Sequence, residues 1–233
     1  MPKIPIGIEG FDKFCKKGIP EKKLTVVMGP PRSGKTIFGM QFLIRGILIS
    51  KEPGVFITFD ENQETIISKT KELGWDISEH VNQGLWEFID VSSHFKDDFE
   101  ISGDFDLGGL LLQIQMAVRK IKAKRIVMDS LSVLFSKYPN IETIKKGILQ
   151  LKSWLNSYSV TSLIIDEIDG EIQKKIYSEI INKTCDSIIK LQNPLKGGYR
   201  TIEIIKYQGN NYLKGKLNFT IQKNQGIVIV PID

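Results

Sequence analysis

The segment Gly29-Pro30-Pro31-Arg32-Ser33-Gly34-Lys35-Thr36 constrains this chain most, because it matches GxxxxGK[ST] between a strand-like and a helix-like run. Before it, Leu24-Thr25-Val26-Val27-Met28 is short, apolar and β-branched, the pattern of a buried strand. After it, residues 35–49 are apolar almost all round, as expected of a helix covered on most sides. Each loop position has a chemical task. Gly29 and Gly34 let the backbone curl so that successive N–H groups point inward at phosphate oxygens. The helix N-terminus adds partial positive charge. Lys35 reaches the β- and γ-phosphates, and the Thr36 hydroxyl is suited to Mg2+. Gly29, Arg32, Ser33, Gly34, Lys35, Thr36 and Ile37 form the expected nucleotide-binding set.

The remainder alternates in the same rhythm. Strands are predicted at residues 54–59, 85–91, 125–129 and 161–166. Helical periods lie between them: Ile66, Thr70, Leu73; then Leu110, Ile114, Ala117, Ile121; then Ile141, Ile144, Ile148, Leu151, Leu155, opened by Asn140 as N-cap. This implies an α/β fold with a largely parallel sheet and helices on both faces. The tail differs. Residues 200–208, 219–222 and 227–230 are strand-like with Gly/Asn turns between, which predicts an antiparallel extension of the sheet. With 41% hydrophobic and 25% charged residues, the chain has enough apolar surface for one core. One domain spanning residues 1–233 is expected.

Three strand ends carry carboxylates. Ile126-Val127-Met128-Asp129 places an acid where a buried strand surfaces, the position for orienting a metal together with Thr36. Phe56-Ile57-Thr58-Phe59 ends in Asp60-Glu61, candidates for activating water; neighbours on an extended chain alternate sides, so one of them faces the nucleotide. Ile164-Ile165-Asp166-Glu167 repeats the pattern, as a γ-phosphate sensor or a cap. The acidic residues within 97–106 read as a solvated loop, and the basic run at residues 119–125 as a helix C-terminus entering a strand, where the helix dipole favours cations. Two cysteines and two histidines exclude a disulfide framework and a His-cluster metal site. The Met1-Pro2-Lys3 start has no signal core and no long apolar run occurs, so a soluble, cytoplasmic, membrane-free protein is expected. The net charge of +5 permits an anionic partner without requiring one.

Taken together, these residues resemble the KaiC-like branch of the RecA-type P-loop ATPases. The likeness runs over roughly residues 4–231. It starts at Gly7-Ile8-Glu9-Gly10-Phe11-Asp12-Lys13 and continues through the loop into Glu52-Pro53-Gly54-Val55-Phe56-Ile57-Thr58-Phe59. Gly74-Trp75-Asp76, Asp104-Phe105-Asp106-Leu107 and Met128-Asp129-Ser130 follow, and it closes at Lys206-Tyr207-Gln208-Gly209 and Leu213-Lys214-Gly215. The resemblance implies a RecA-like fold, ATP with Mg2+, and a homo-oligomer, expected as a hexameric ring with nucleotide between neighbouring subunits. Lys35, Thr36 and Asp129 carry over. Asp60 stands where the family has a first glutamate. The family's Lys-x-Arg, which reaches a neighbour's phosphates, is here Lys206 and Gln208. The loop interior is Pro30-Pro31-Arg32, whose prolines remove two N–H donors.

The function expected from residues and resemblance is a slow, oligomeric ATPase whose nucleotide state controls assembly or the binding of a protein partner. Catalysis is assigned to Lys35, Asp60, Glu61 and Lys206, nucleotide contact also to Gln208, and metal binding to Thr36 and Asp129. A RecA/RadA-type protein that binds single-stranded DNA is a second reading, less favoured because no Phe-x-x-Ala motif precedes Ala117 or Ala123. In that reading Lys174-Lys175 would meet the DNA, with a salt-sensitive affinity. A nucleotide-gated scaffold without turnover is a third. Autophosphorylation at Ser178 or Thr184 is weaker still.

Overall fold

The computed structural model describes residues 1–92, 107–130, 132–133, 141–167, 179–194, 197–208 and 212–231. Asn140, Lys174-Lys175, Ser178 and the acidic residues within 97–106 lie outside them. A two-stranded antiparallel ribbon, β1 (Lys3–Ile4) with β2 (Ile19–Pro20), brackets α1 (Glu9–Phe14). The main sheet has nine strands: β3 (Leu24–Gly29), β4 (Gly54–Thr58), β5 (Trp86–Asp90), β6 (Arg125–Asp129), β7 (Thr161–Glu167), β8 (Ser187–Gln192), β9 (Arg200–Tyr207), β10 (Lys216–Gln222) and β11 (Gly226–Ile229). Their order is β11-β10-β9-β8-β3-β7-β6-β4-β5. The run from β5 through β8 pairs in parallel, while β9, β10 and β11 continue it antiparallel. The fold class read from the sequence therefore holds, antiparallel extension included.

Both faces of the parallel part are buried, so alternate residues of one strand serve two cores. Val26, Ile57, Ile126 and Ile164 pack on one side with α5 (Leu107–Ile121) and α6 (Ile141–Ser157). Val27, Phe56, Val127 and Ile165 pack on the other with α2 (Lys35–Arg45). Two shorter helices, α3 (Gln63–Glu72) and α4 (Ser78–Asn82), link β4 to β5. Helix α2 lies very close to the sheet because Gly39 has no side chain. A Cβ there would stand 2.7 Å from Ile165 Cδ1 and 2.8 Å from Val127 Cγ1.

Two local expectations change. The helix predicted over residues 35–49 is α-helical only to Arg45 and continues as a π-helical turn, Gly46–Ser50. The cause is a side chain entering its ladder: Arg125 Nη1 donates to the Phe42 carbonyl at 2.9 Å. Arg125 itself is buried at the start of β6, bonded to Glu52 at 2.7 Å and to the Pro5 carbonyl at 2.9 Å. Finally, β8 adds a parallel strand beside β3 where no strand was predicted.

Parallel pairing sets the site. It brings the carboxyl ends of β3, β4, β6 and β7 to one sheet edge, where Gly29 is level with Glu167 and Thr58 with Asp129. Ligands in open α/β sheets bind at this edge.

Candidate nucleotide-binding site

The loop leaving β3 turns tightly, with Ser33 N donating to the Pro30 carbonyl at 3.3 Å. Arg32 (φ 61°) and Gly34 (φ 100°) are both left-handed, and Gly34 is the N-cap of α2. Only glycine takes the φ of Gly34 without strain. Its carbonyl accepts from Phe38 N at 2.9 Å, opening a helix whose first amides face the cleft edge. Ser33 is buried and its hydroxyl has no hydrogen-bond partner among the described residues. An orphaned hydroxyl beside free helix amides suits an anionic ligand.

Lys35 is buried, donating to the Pro30 carbonyl at 2.7 Å and standing 3.5 Å from Glu167 Oε2. Thr36 Oγ1 donates to Asp129 Oδ2 at 2.6 Å. Burial pushes the Asp129 carboxyl up to about 6; the Thr36 bond opposes this, Glu61 nearby adds to it, and Lys35 and Lys69 oppose it. A hydroxyl and a carboxylate at contact distance are hard oxygen donors, the kind a magnesium-sized ion takes in small number beside phosphates and water. The donor set fits such an ion. Among the described residues no cluster of three or more His, Cys, Asp or Glu side chains is placed to hold a metal.

A cleft of about 600 Å3 opens over these groups. Arg32, Ser33, Gly34, Lys35, Thr36, Ile37, Asp60, Glu61 and Asp129 all line it, so most of the sequence-predicted set comes together in one place. Gly29, the last residue of β3, does not line it. Asp60 and Glu61 differ: Asp60 is exposed, whereas Glu61 is half-buried. Neither caps α3. Asn62 does so, its side chain accepting from Thr65 N at 2.9 Å. Of the third acidic pair, Glu167 lies on the Lys35 side, while Asp166 is buried on alternate register. Lys206 and Gln208 do not line the cleft. Lys206 Nζ donates to the carbonyls of Asn182 (2.5 Å) and Cys185 (2.7 Å) in its own chain, and Gln208 N reaches Ser187 Oγ at 3.5 Å.

Sequence reasoning missed three cleft residues with charge, Lys69, Glu72 and Arg200. Lys69 had a signal: Ile66, Lys69 and Leu73 recur at helical spacing and all line the cleft. For Arg200, at the start of β9, no sequence pattern pointed there.

The family profile described as "ATPase: KaiC" matches residues 4–233. The chain belongs to the KaiC ATPase family. It is 37% identical over its whole length to the circadian clock oscillator protein KaiC of Thermostichus vulcanus, covering 45% of that protein. It is 38% identical, again over its whole length, to the circadian clock protein KaiC3 of Synechocystis sp., covering 46%. Against a circadian clock oscillator protein KaiC of Prochlorococcus marinus, 95% of the chain aligns at 37% identity and covers 44% of that protein. The chain spans about half the length of the curated relatives it matches. As a KaiC-type ATPase domain it is expected to take ATP with a divalent metal, and the cleft has the donors for both. No helix among the described residues is long and apolar enough to cross a membrane.

Proposed function

We propose that this KaiC-family chain binds ATP with Mg2+ in the cleft and hydrolyses it slowly, as a cytoplasmic homo-oligomer whose nucleotide state governs assembly or the binding of a protein partner. Residues 1–233 act as one unit in this reading, within a hexameric ring. The observation that carries it is the Thr36–Asp129 contact of 2.6 Å, placed in the same cleft as the Gly34 helix start and the Glu61 carboxylate. The loop amides and Lys35 hold the phosphates. Thr36 and Asp129 would hold Mg2+, which neutralises charge on the phosphates when bound. Asp60 and Glu61, which both line the cleft, supply the carboxylates that orient and deprotonate water, with Glu61 the better placed because it is the more buried of the two. Slow turnover is consistent with the departures: Asp60 is shorter than glutamate, and Gln208 carries no charge. Lys206 and Gln208 are assigned to a neighbour's nucleotide, since they stand away from the cleft of their own subunit.

Lys35→Ala tests the reading. Nucleotide affinity by calorimetry should fall by at least about tenfold, and phosphate release should vanish, because the phosphates lose their main cation. The same protein's mass in solution, with and without ATP, should show nucleotide-dependent assembly in the wild type alone. Unchanged affinity and turnover in Lys35→Ala would sink the proposal.

A further inference from the structure

Helix α3 overlooks the cleft with one face, formed by Ile66, Lys69 and Leu73. From that face the Lys69 ammonium ion-pairs with Glu61 Oε1. The other end of the residue is tied as well, because Thr58 Oγ1 at the end of β4 donates to the Glu61 backbone carbonyl. Glu61 Oε2 is different. It is buried and has no hydrogen-bond donor among the described residues. A buried carboxylate oxygen without a donor is costly. That cost makes sense where a donor arrives with the ligand. Glu61 lines the same cleft as Thr36 and Asp129.

We infer that Lys69 is a positioning residue: by occupying Oε1 it turns Oε2 of Glu61 toward the attacking water. The inference rests on the hydrolytic reading above and names the residue that orients its base. A purely structural role is a poor account of the pair. Lys69 is 43% exposed and Glu61 34%, and ion pairs at that exposure add little to folding. An independent phosphate-binding role also fits less well, because the ammonium is already engaged by the carboxylate. A carboxylate with both oxygens free to rotate would offer water a scattered set of geometries. Misplacement of a catalytic group by an ångström costs as much as roughly a hundredfold in rate.

The test uses the full chain and the variants Lys69→Ala, Lys69→Arg, Glu61→Gln and the double Glu61→Gln/Lys69→Ala. Steady-state turnover is measured with affinity for Mg-ATP and for Mg-ADP-aluminium fluoride, which mimics the transferring phosphoryl group with its water. Lys69→Ala should lower kcat by about 10- to 100-fold with KM nearly unchanged, and weaken the aluminium fluoride complex while sparing ATP affinity. Lys69→Arg should restore most of both. The double variant should be no slower than Glu61→Gln alone, since Lys69 acts through Glu61. Additive losses, or a rise in KM without loss of kcat, would make Lys69 a phosphate ligand and overturn the inference. Wild-type kcat in Lys69→Ala would overturn it alone and leave the hydrolytic reading standing. A wild type without turnover and without preference for the aluminium fluoride complex would remove both. Unchanged ATP affinity in Lys69→Ala doubles as the check on its fold.

Discussion

Asp129 shows how a single residue is held against its solution chemistry. Its carboxyl is pushed to about 6 chiefly by burial, and the negative charge of Glu61 adds to that. A folded-state pKa above the unfolded value of about 3.9 means the charged form is disfavoured on folding. The apo fold therefore keeps full stability below about pH 4 from this group and loses it as pH rises through about 6. Asp129→Asn should make the nucleotide-free protein more stable at pH 7.5 by on the order of 1–2 kcal/mol, and the gain should shrink toward pH 4. Urea unfolding at the two pH values measures it. The same substitution removes a proposed metal ligand, so Mg2+-dependent turnover should collapse in the more stable protein. Mg2+ binding to the wild type should weaken below about pH 6, where Asp129 protonates. Equal stability of the two proteins at both pH values would show that Asp129 is not strained in the apo state.

Helix α3 and the loop before it are the element on which the site depends most. The Asn62 cap starts the helix one residue after Glu61, which frees both carboxylates from capping and sets the direction in which Lys69 returns to the cleft. Asn62→Ala should cost about 1 kcal/mol, the usual value of a lost N-cap. Hydrogen exchange should then quicken in the first turn of α3 before it quickens in β4, because the strand is buried on both faces and the helix on one. Uniform acceleration across the domain would place the cap's contribution elsewhere. Helix α2 teaches a related lesson. Its apolar periodicity extends to Ile49, yet the α-helix stops at Arg45, since the Phe42 carbonyl is shared with the buried Arg125.

For the whole molecule, the proposed ring is tested by mixing. Lys35→Ala and Lys206→Ala, each inactive alone, should regain part of the wild-type turnover when co-assembled, because some interfaces then carry both lysines. Absence of recovery, together with lower thermal stability of Lys206→Ala, would confine Lys206 to the carbonyls of Asn182 and Cys185 in its own chain. The sequence by itself determined the α/β class, the largely parallel character of the sheet, the Gly29–Thr36 loop and the acid at the end of the strand that carries Asp129. These rest on short-range periodicity and on residue types tied to one backbone geometry, so neighbours along the chain suffice to read them. Strand β8 escaped because a short apolar run has the same composition in a strand as in a buried helix. Tertiary structure alone decided which carboxylate of Asp60-Glu61 is the more buried, that Lys69 meets Glu61, that Glu167 rather than Asp166 approaches Lys35, and that Lys206 binds its own chain. Each is a contact between segments set by sheet pairing and helix docking, and the direction of a side chain across such a contact follows from packing rather than from the residues beside it.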